Sequence, residues 1–304
     1  MKDPQLYLEL IDKERNIYEL AKLYDQNRKP VLDYISLLQD PYNSSELLLS
    51  KSKLKGFKDY EIYNNIPNFT SNELNSSEWK RLNKQFLNYH KSLSLYTLIN
   101  STPIINFLSI DTALGFKKNC KVLDVGGGTG HTHASFFQYP EEIEYFLLDP
   151  NLRLLHDQFI RIYPKLSYLP MAHILGNAEK LPFKENSFDL LLNISAIDHL
   201  EDYEKFIDEA FRVLKNGGEF LISSHLDVPI AKNDKTRTSE KVVSNSFWER
   251  IARYKYYKKY HVGDDDHTLH LENVNPIKKS LIKSGFKIRK MKVFKRYFYF
   301  IAEK

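Results

Sequence analysis

The spacing of apolar positions changes near residue 100. Before that point, apolar residues recur at helical intervals, as between Leu6 and Tyr24, with polar residues between them. After it, short apolar runs alternate with helical stretches, a pattern typical of strands joined by crossover helices. The change predicts two regions, an N-terminal helical cap or lid at residues 1–100 and an α/β core at residues 101–304.

The first region is predicted to be helical at both ends. An amphipathic helix is expected over Leu6 to Tyr24, and a second helix begins at the capping pair Ser76-Ser77 and runs toward Leu98. Between residues 40 and 75, proline, glycine, serine and asparagine are frequent. This stretch is therefore predicted to be mostly loop, with a short helix at Ser44 to Leu54.

The core is predicted to contain parallel strands that are covered on both faces and joined by right-handed crossovers. The predicted strands are Lys121 to Val125, Tyr145 to Leu148, Ala172 to Leu175, Phe188 to Asn193 and Glu219 to Ser223. A final helix is predicted over Val274 to Ser284. Two later runs, Phe286 to Phe294 and Tyr297 to Ala302, lie too close together for a crossover helix and predict an antiparallel pair at one edge of the sheet.

Composition removes several classes of protein. The 304 residues are 42% apolar and 27% charged, which excludes a disordered chain. The single cysteine, Cys120, cannot form an internal disulfide, and no cysteine cluster exists to hold a metal. No run approaches the roughly 18 apolar residues that span a bilayer, and the start lacks the apolar segment of a secretory signal, so a soluble, cytoplasmic protein without membrane contact is expected. The net charge of +5 is too even a balance to require a nucleic-acid partner.

A glycine-rich loop follows the first predicted core strand. In the stretch Val122 to Gly130, the strand ends and a helix opens, and glycines stand at Gly126, Gly128 and Gly130. Backbone without side chains at such a turn lets a nucleotide-like ligand approach closely. A dinucleotide fingerprint would require a further glycine at position 131, where the chain has His131. The spacing therefore disfavours a dinucleotide.

Four further motifs follow in order. They are Phe146-Leu147-Leu148-Asp149, Gly176 to Phe183, Ser187 to Asn193 followed by His199-Leu200, and Phe211 to Ile222. With the glycine loop, they resemble the class I S-adenosylmethionine-dependent methyltransferases, in the small-molecule branch of the methyltransferase type 11 kind. The resemblance covers roughly residues 105 to 225. It implies a Rossmann-like α/β fold with a doubly wound, seven-stranded, mostly parallel sheet and an antiparallel C-terminal edge strand, here with an N-terminal helical cap.

The resemblance also implies a cofactor, S-adenosyl-L-methionine, which becomes S-adenosyl-L-homocysteine. The residues that it assigns to cofactor binding are Asp124, Gly126, Gly128, Gly130, Asp149, Asn177, Ala178 and Asn193. Asp149 would accept hydrogen bonds from the ribose hydroxyls. Asn177 stands where the family has aspartate, and its carbonyl oxygen can still accept from the adenine amine. Asp124 either orients the methionine end of the cofactor or caps the turn.

Catalysis is expected to depend mainly on alignment, because methyl transfer from a sulfonium is an in-line displacement. An acceptor hydroxyl or amine cation would also need a base, and the candidates are His199, His225 and His267. His267 and His270 belong to a stretch that begins with three consecutive aspartates. These acids cannot all face one centre, so no metal site is predicted there. Capping or packing is expected of His131 and His133.

Two segments are expected to cover the site, the N-terminal region and an insertion at about residues 231–262. The insertion mixes basic and aromatic residues, which suits either an amphipathic lid or contact with a phosphate-bearing or single-stranded nucleic-acid ligand. We expect methylation of an oxygen or nitrogen of a small or medium-sized metabolite. The alternatives are an RNA methyltransferase and a non-catalytic module that binds S-adenosylmethionine. Covalent C5-pyrimidine methylation is excluded, because it needs a cysteine nucleophile and Cys120 precedes the first core strand.

Overall fold

The computed structural model describes residues 17–70, 119–128, 130, 132–133, 142–150, 164–226, 269, 271–294 and 297–304. The predicted helix from Ser76 to Leu98, the insertion at 231–262 and the candidate base His267 lie outside these residues. None of the helices within the described ranges has the length and apolar character required to cross a bilayer.

The described residues form eleven strands in two sheets. In chain order the strands are β1 (Leu48–Ser50), β2 (Lys53–Lys55), β3 (Asp59–Tyr63), β4 (Ile66–Pro67), β5 (Lys121–Val125), β6 (Glu144–Asp149), β7 (Met171–Leu175), β8 (Phe188–Ile194), β9 (Leu214–His225), β10 (Lys287–Phe294) and β11 (Tyr297–Glu303). The helices are α1 (Ile17–Gln26), α2 (Tyr203–Val213) and α3 (Asn275–Lys283). Short 3-10 turns cover Val31–Asp33, Ile35–Leu37, Pro164–Tyr168 and Ile197–His199.

The larger sheet has seven strands in the order β10-β11-β9-β8-β5-β6-β7. β5 pairs in parallel with both β6 and β8, and the parallel pairing continues to β7 on one side and to β9 on the other. β11 runs antiparallel to both β9 and β10. The doubly wound sheet and the antiparallel pair at its C-terminal edge are confirmed. The strand order reverses beside β5, which is where open α/β sheets bind their ligands.

The core lies on both faces of this sheet, because neighbouring residues of a strand point to opposite faces. On one face, residues such as Leu123 and Phe220 form a cluster with α2, α3 and the segment 31–38. On the other face, residues such as Val122 and Leu147 pack with α1 and the turn Pro164–Tyr168. Burial on both faces explains why the core strands read as short apolar runs.

The small sheet, with the order β1-β2-β3-β4, corrects the prediction for residues 40–75. The expected helix at Ser44 to Leu54 is wrong, because this stretch contains the antiparallel strands β1 and β2. The residues between the four strands are loop, as predicted, and residues 71–75 lie outside the described ones. The turn between β3 and β4 consists of Asn64 and Asn65, whose φ angles are 49° and 63°. Two left-handed residues are what a tight type I′ hairpin turn requires, and asparagine tolerates that conformation better than most residues.

The N-terminal segment is joined to the larger sheet by isolated bridges and by packing. Arg28 and Asn68 form isolated bridges with the two ends of β7, and Leu38 bridges to Phe183. Val31, Tyr34 and Leu38 are buried in the same cluster as the sheet. The second half of the predicted helix Leu6 to Tyr24 is present as α1, and its first half lies outside the described residues. The boundary near residue 100 stays a prediction.

Candidate functional site

The glycine loop follows β5 at the reversal point of the sheet. Gly126, Gly128 and Gly130 have φ angles of 76°, 58° and 72°, in the left-handed region that favours glycine. Two of them also meet close neighbours. A Cβ on Gly126 would lie 2.5 Å from the Cβ of Ala196, and one on Gly130 would lie 3.0 Å from the Met171 sulfur. These two glycines let the loop pack against the β8–α2 connection and against β7.

Gly128 differs from the other two glycines. A Cβ at this position would meet no atom of the described residues within 4 Å, so the backbone of Gly128 faces open space as far as these residues define it. Its amide donates a 2.9 Å hydrogen bond to the carboxylate of Asp149, which ends β6 and is 7% exposed. The loop and the acid from the neighbouring strand tip therefore meet, and they leave a strip of bare backbone beside a carboxylate.

Asp124 lies underneath the loop. Its side chain is 1% exposed and accepts hydrogen bonds from the hydroxyls of Tyr145 and Thr132. Burial raises the pKa of Asp124 to about 7, the two hydrogen bonds oppose this shift, and the charge of Asp149 adds to it. His133 is buried and stacks on Tyr145 with ring centroids 4.3 Å apart. The observed contacts of Asp124 are therefore internal ones that support the loop from below.

Asn193 stands near the end of β8 and is fully buried. Its amide donates a 3.0 Å hydrogen bond to the carbonyl of Val125, the last residue of β5. Its Oδ1 has no hydrogen-bond partner among the described residues. Asn193 therefore ties β8 to the residue from which the glycine loop departs.

The segment after β7 carries two of the predicted cofactor residues. Ala178 is 5% exposed, and the Oδ1 of the half-buried Asn177 is shielded without a hydrogen-bond partner among the described residues. Glu209 of α2 accepts from the Leu181 amide at 2.8 Å, and Arg212 donates to the carbonyls of Leu181 and Phe183. Sequence reasoning missed this clamp by Glu209 and Arg212, although Arg212 belongs to the motif Phe211 to Ile222 and Glu209 precedes that motif by two residues.

β8 and β9 are neighbouring parallel strands, and they end at the same edge of the sheet as the glycine loop. His225 ends β9, and its Nδ1 lies 3.3 Å from Oδ2 of Asp198 in the turn Ile197–His199. The Asp198 side chain is 4% exposed and that of His225 is 24% exposed. His199 is half-buried in the same turn, with its amide bonded to the Ala196 carbonyl at 3.1 Å. Sequence reasoning missed Asp198, although it directly precedes His199.

Ser195 connects β8 to this turn in an unusual conformation. Its φ angle is 54°, although it is neither glycine nor asparagine, and its side chain is exposed. Its amide is held by the Ser223 carbonyl at 2.7 Å. Left-handed residues of this kind occur often at functional sites, where the surrounding structure holds them in place. Within the described ranges, no group of three or more histidine, cysteine, aspartate or glutamate residues could hold a metal ion.

Part of the chain is similar in sequence to known methyltransferases. Residues 123–222 match a family model described as a methyltransferase domain. The chain is 30% identical over 154 residues to the ubiquinone/menaquinone biosynthesis C-methyltransferase UbiE of Yersinia enterocolitica. The aligned region covers 47% of this chain and 61% of that protein. The same enzyme from Yersinia pestis (strain Pestoides F) is 33% identical with the same coverage. The chain therefore spans about 61% of the length of these curated relatives.

One solved structure that is similar to this chain is that of a SAM-dependent methyltransferase from Aquifex aeolicus. It is 18% identical, with a TM-score of 0.39, and covers 61% of this chain and 82% of its own. The PH0226 protein from Pyrococcus horikoshii is 19% identical with a TM-score of 0.47, covering 71% of this chain and 97% of its own.

Proposed function

Through residues 123–222 the chain belongs to the class I S-adenosylmethionine-dependent methyltransferase superfamily, and on that premise we propose that it transfers a methyl group to a small-molecule acceptor. The superfamily and its cofactor, S-adenosylmethionine, agree with the resemblance carried by the sequence motifs. One observation of the site carries the proposal. Among the described residues, the backbone of Gly128 faces open space beside the buried carboxylate of Asp149, a combination that suits an adenosyl ligand.

We propose that Asp149 and Asn177 bind opposite ends of the adenosine. The Asp149 carboxylate is positioned by the Gly128 amide and would accept from the ribose hydroxyls. The shielded Oδ1 of Asn177 would accept from the adenine amine. A buried acceptor without a donor costs about 1–3 kcal/mol, so a ligand that supplies the donor gains that amount. Ala178 would border the same part of the ligand.

Asp124 and Asn193 have supporting roles in this proposal. Asp124 is hydrogen-bonded to Tyr145 and Thr132 below the loop, and Asn193 is fully buried against β5. Both would fix the conformation of the loop, and Gly126 and Gly130 would keep it packed on its neighbours. The cofactor contact at the loop itself would come from the backbone at Gly128.

The transfer needs alignment more than proton chemistry. When bound, S-adenosylmethionine supplies a methyl group on a cationic sulfur, and S-adenosylhomocysteine leaves without being protonated. The protein contributes a fixed loop and an acceptor site on the β8–β9 side of the same strand edge. Holding the nucleophile in line with the methyl carbon is worth about 7–11 kcal/mol in favourable intramolecular cases.

The attacking atom requires a revision of the sequence-based expectation. Oxygen or nitrogen was expected, whereas both curated relatives described above are named C-methyltransferases. We therefore propose an electron-rich carbon, activated by loss of a proton from the acceptor. RNA remains the alternative acceptor, and it rests only on the basic, aromatic insertion at 231–262, which lies outside the described residues.

The cofactor part of the proposal is tested by a matched pair of glycine variants. Gly128 and Gly217 both have positive φ angles, 58° and 76°, and a Cβ on either would meet no atom of the residues that the structure describes within 4 Å. Gly217 lies in β9, where its amide bonds to the carbonyl of Lys304, outside the glycine loop. Gly128→Ala and Gly217→Ala therefore impose similar backbone strain, but only Gly128→Ala introduces a methyl group into the crevice.

Calorimetry measures the affinity of the wild type and of both variants for S-adenosylmethionine. We expect binding to the wild type and to Gly217→Ala, and at least a tenfold loss for Gly128→Ala, equivalent to about 1.4 kcal/mol. Equal affinity of all three proteins would contradict the proposed crevice. Methyl-labelled cofactor with a panel of hydroquinones, phenols and amines then tests transfer, and NMR of the product identifies the methylated atom. Binding without transfer to any acceptor would favour the non-catalytic module.

A further inference from the structure

We infer that Asp198 is a positioning residue that holds His225 as the base for the acceptor, an inference that rests on the proposed methyl transfer. The pair is formed by side chains from two different strand ends, with His225 Nδ1 3.3 Å from Asp198 Oδ2. It gives a carboxylate partner to His225, one of the two candidate histidines within the described residues. Asp198 itself belongs to none of the motifs that carried the resemblance.

The pair lies at the same edge of the sheet as the glycine loop. β5 pairs in parallel with β8, and β8 pairs in parallel with β9, so all three strands end on one side. The connection after β8 also touches the loop, because Ala196 is the neighbour that a Cβ on Gly126 would meet. Asp198 comes two residues after Ala196. The carboxylate and the proposed methyl donor site are therefore linked by a short, packed segment.

The turn that carries Asp198 is fixed on several sides. The Leu200 amide bonds to the Ile197 carbonyl at 3.2 Å, and the Leu269 amide bonds to the Asp198 carbonyl at 3.1 Å. Ser195, just before the turn, is held in its left-handed conformation by Ser223 of β9. A carboxylate that is only 4% exposed and is mounted on such a turn has little freedom to move away from His225.

The chemistry follows from which imidazole nitrogen faces the acid. A carboxylate beside Nδ1 favours the tautomer with the proton on Nδ1, so Nε2 presents its lone pair to the acceptor. During transfer, an acidic C–H or O–H of the acceptor gives its proton to Nε2, and the electron pair that is released, delocalised onto the attacking carbon, forms the bond to the methyl carbon. Where the proton came from a hydroxyl, the methylated carbon then gives up its own proton as the hydroxyl is restored. The carbon–sulfur bond breaks and its electron pair stays on sulfur. Asp198 stabilises the resulting imidazolium, which later loses its proton to water.

The proposal is tested first without an acceptor. In protein labelled with ¹⁵N-histidine, with signals assigned by their loss in His225→Gln, we expect the Nδ1–H tautomer of His225 to dominate in the wild type. Asp198→Asn should shift the population toward Nε2–H, because an amide can also donate to Nδ1. Glu201→Gln removes an exposed acid three positions away and should leave the tautomer unchanged. An unaltered tautomer in Asp198→Asn would overturn the positioning role.

The second test uses the acceptor that the labelled panel identifies. His225→Gln should lower kcat by about 100-fold or more, the usual contribution of a positioned base, and Asp198→Asn by about 10–100-fold. Cofactor affinity should be unchanged in both variants. Because Asp198 acts through His225, the double variant should be no slower than His225→Gln alone.

The outcomes separate the two proposals. No transfer by the wild type would overturn the proposed function and the base together. Transfer by the wild type at a rate that Asp198→Asn leaves unchanged would overturn the positioning role alone. Additive losses in the double variant would do the same, since they would indicate two independent effects.

Discussion

On the β5–β6 side of the sheet edge, the site consists of bare backbone with carboxylates behind it. On the β8–β9 side, it consists of a contact between a side chain of the turn after β8 and one at the end of β9. The first side is built by the loop Gly126 to Gly130 together with Asp124 and Asp149. The second is built by Asp198 and His225 around the strained Ser195. A rigid surface for a common cofactor needs few side chains. A site for a particular acceptor depends on them.

The largest effect expected is loss of stability at Gly127, within the backbone-built side. A Cβ there would lie 2.6 Å from Leu147 Cδ1 and would also overlap the Asp124 carboxylate. Both neighbours are buried, so Gly127→Ala should lower the free energy of unfolding by about 3 kcal/mol. Chemical denaturation measures this. A loss below about 1 kcal/mol, no larger than that of Gly217→Ala, would show that the loop yields more easily than its packing indicates.

The next effect is a pH dependence that originates under the same loop. Burial raises the native pKa of Asp124 from 3.8 to about 7, so the native state binds this proton more tightly than the unfolded state does. The stability contribution of Asp124 is therefore present below about pH 4 and declines as pH rises toward 7. Relative to Asp124→Asn, the wild type should lose about 2–3 kcal/mol between pH 5 and pH 8. If the free energy of unfolding changed with pH in the same way in both proteins, the predicted titration of Asp124 would be ruled out.

A smaller effect is expected on cofactor affinity. Asp149→Ala should weaken S-adenosylmethionine binding by about 1–3 kcal/mol, because the ribose hydroxyls would lose their acceptor. Asp149→Asn keeps an oxygen for the Gly128 amide and should retain part of the affinity. Calorimetry on both variants measures the difference. Unchanged affinity in Asp149→Ala would contradict the ribose assignment.

The smallest effect tests the side built from side chains. Glycine at position 195 would adopt the φ angle of 54° without strain, although it adds disorder to the unfolded chain. Ser195→Gly should therefore raise the free energy of unfolding by up to about 1 kcal/mol. Ser195→Ala retains the strain and should leave stability nearly unchanged. Destabilisation by Ser195→Gly would mean that the serine side chain makes a favourable contact.

The sequence predicts the backbone-built side well because its signals are local. Lys121–Val125 and the glycines after it lie close together in the sequence, and their burial and left-handed angles follow from a buried strand that ends in a tight turn. The α/β class, the core strands and α3 could be predicted for the same reason. Each core strand is apolar along its own length, whatever it packs against.

The parts that escaped prediction depend on distant partners. Asp198 becomes informative only when β9 brings His225 beside it, and Glu209 and Arg212 only when α2 packs on the segment after β7. In the small sheet, β2 contributes a single buried residue, Leu54, between two lysines. Such a strand is stabilised by its pairing with β1 and β3, and its own sequence gives little sign of it.

The bridges from the N-terminal segment to β7 have a consequence for association between molecules. β7 is an outer strand, and outer strands expose unpaired amides and carbonyls that can recruit a strand from another chain. The Lys29 amide binds the carbonyl of Met171 at one end of β7, and the Phe69 amide binds that of Leu175 at the other, each at 2.8 Å. Among the described residues, these contacts leave the short middle of β7 open to such recruitment, so we expect this segment to reduce aggregation through that edge.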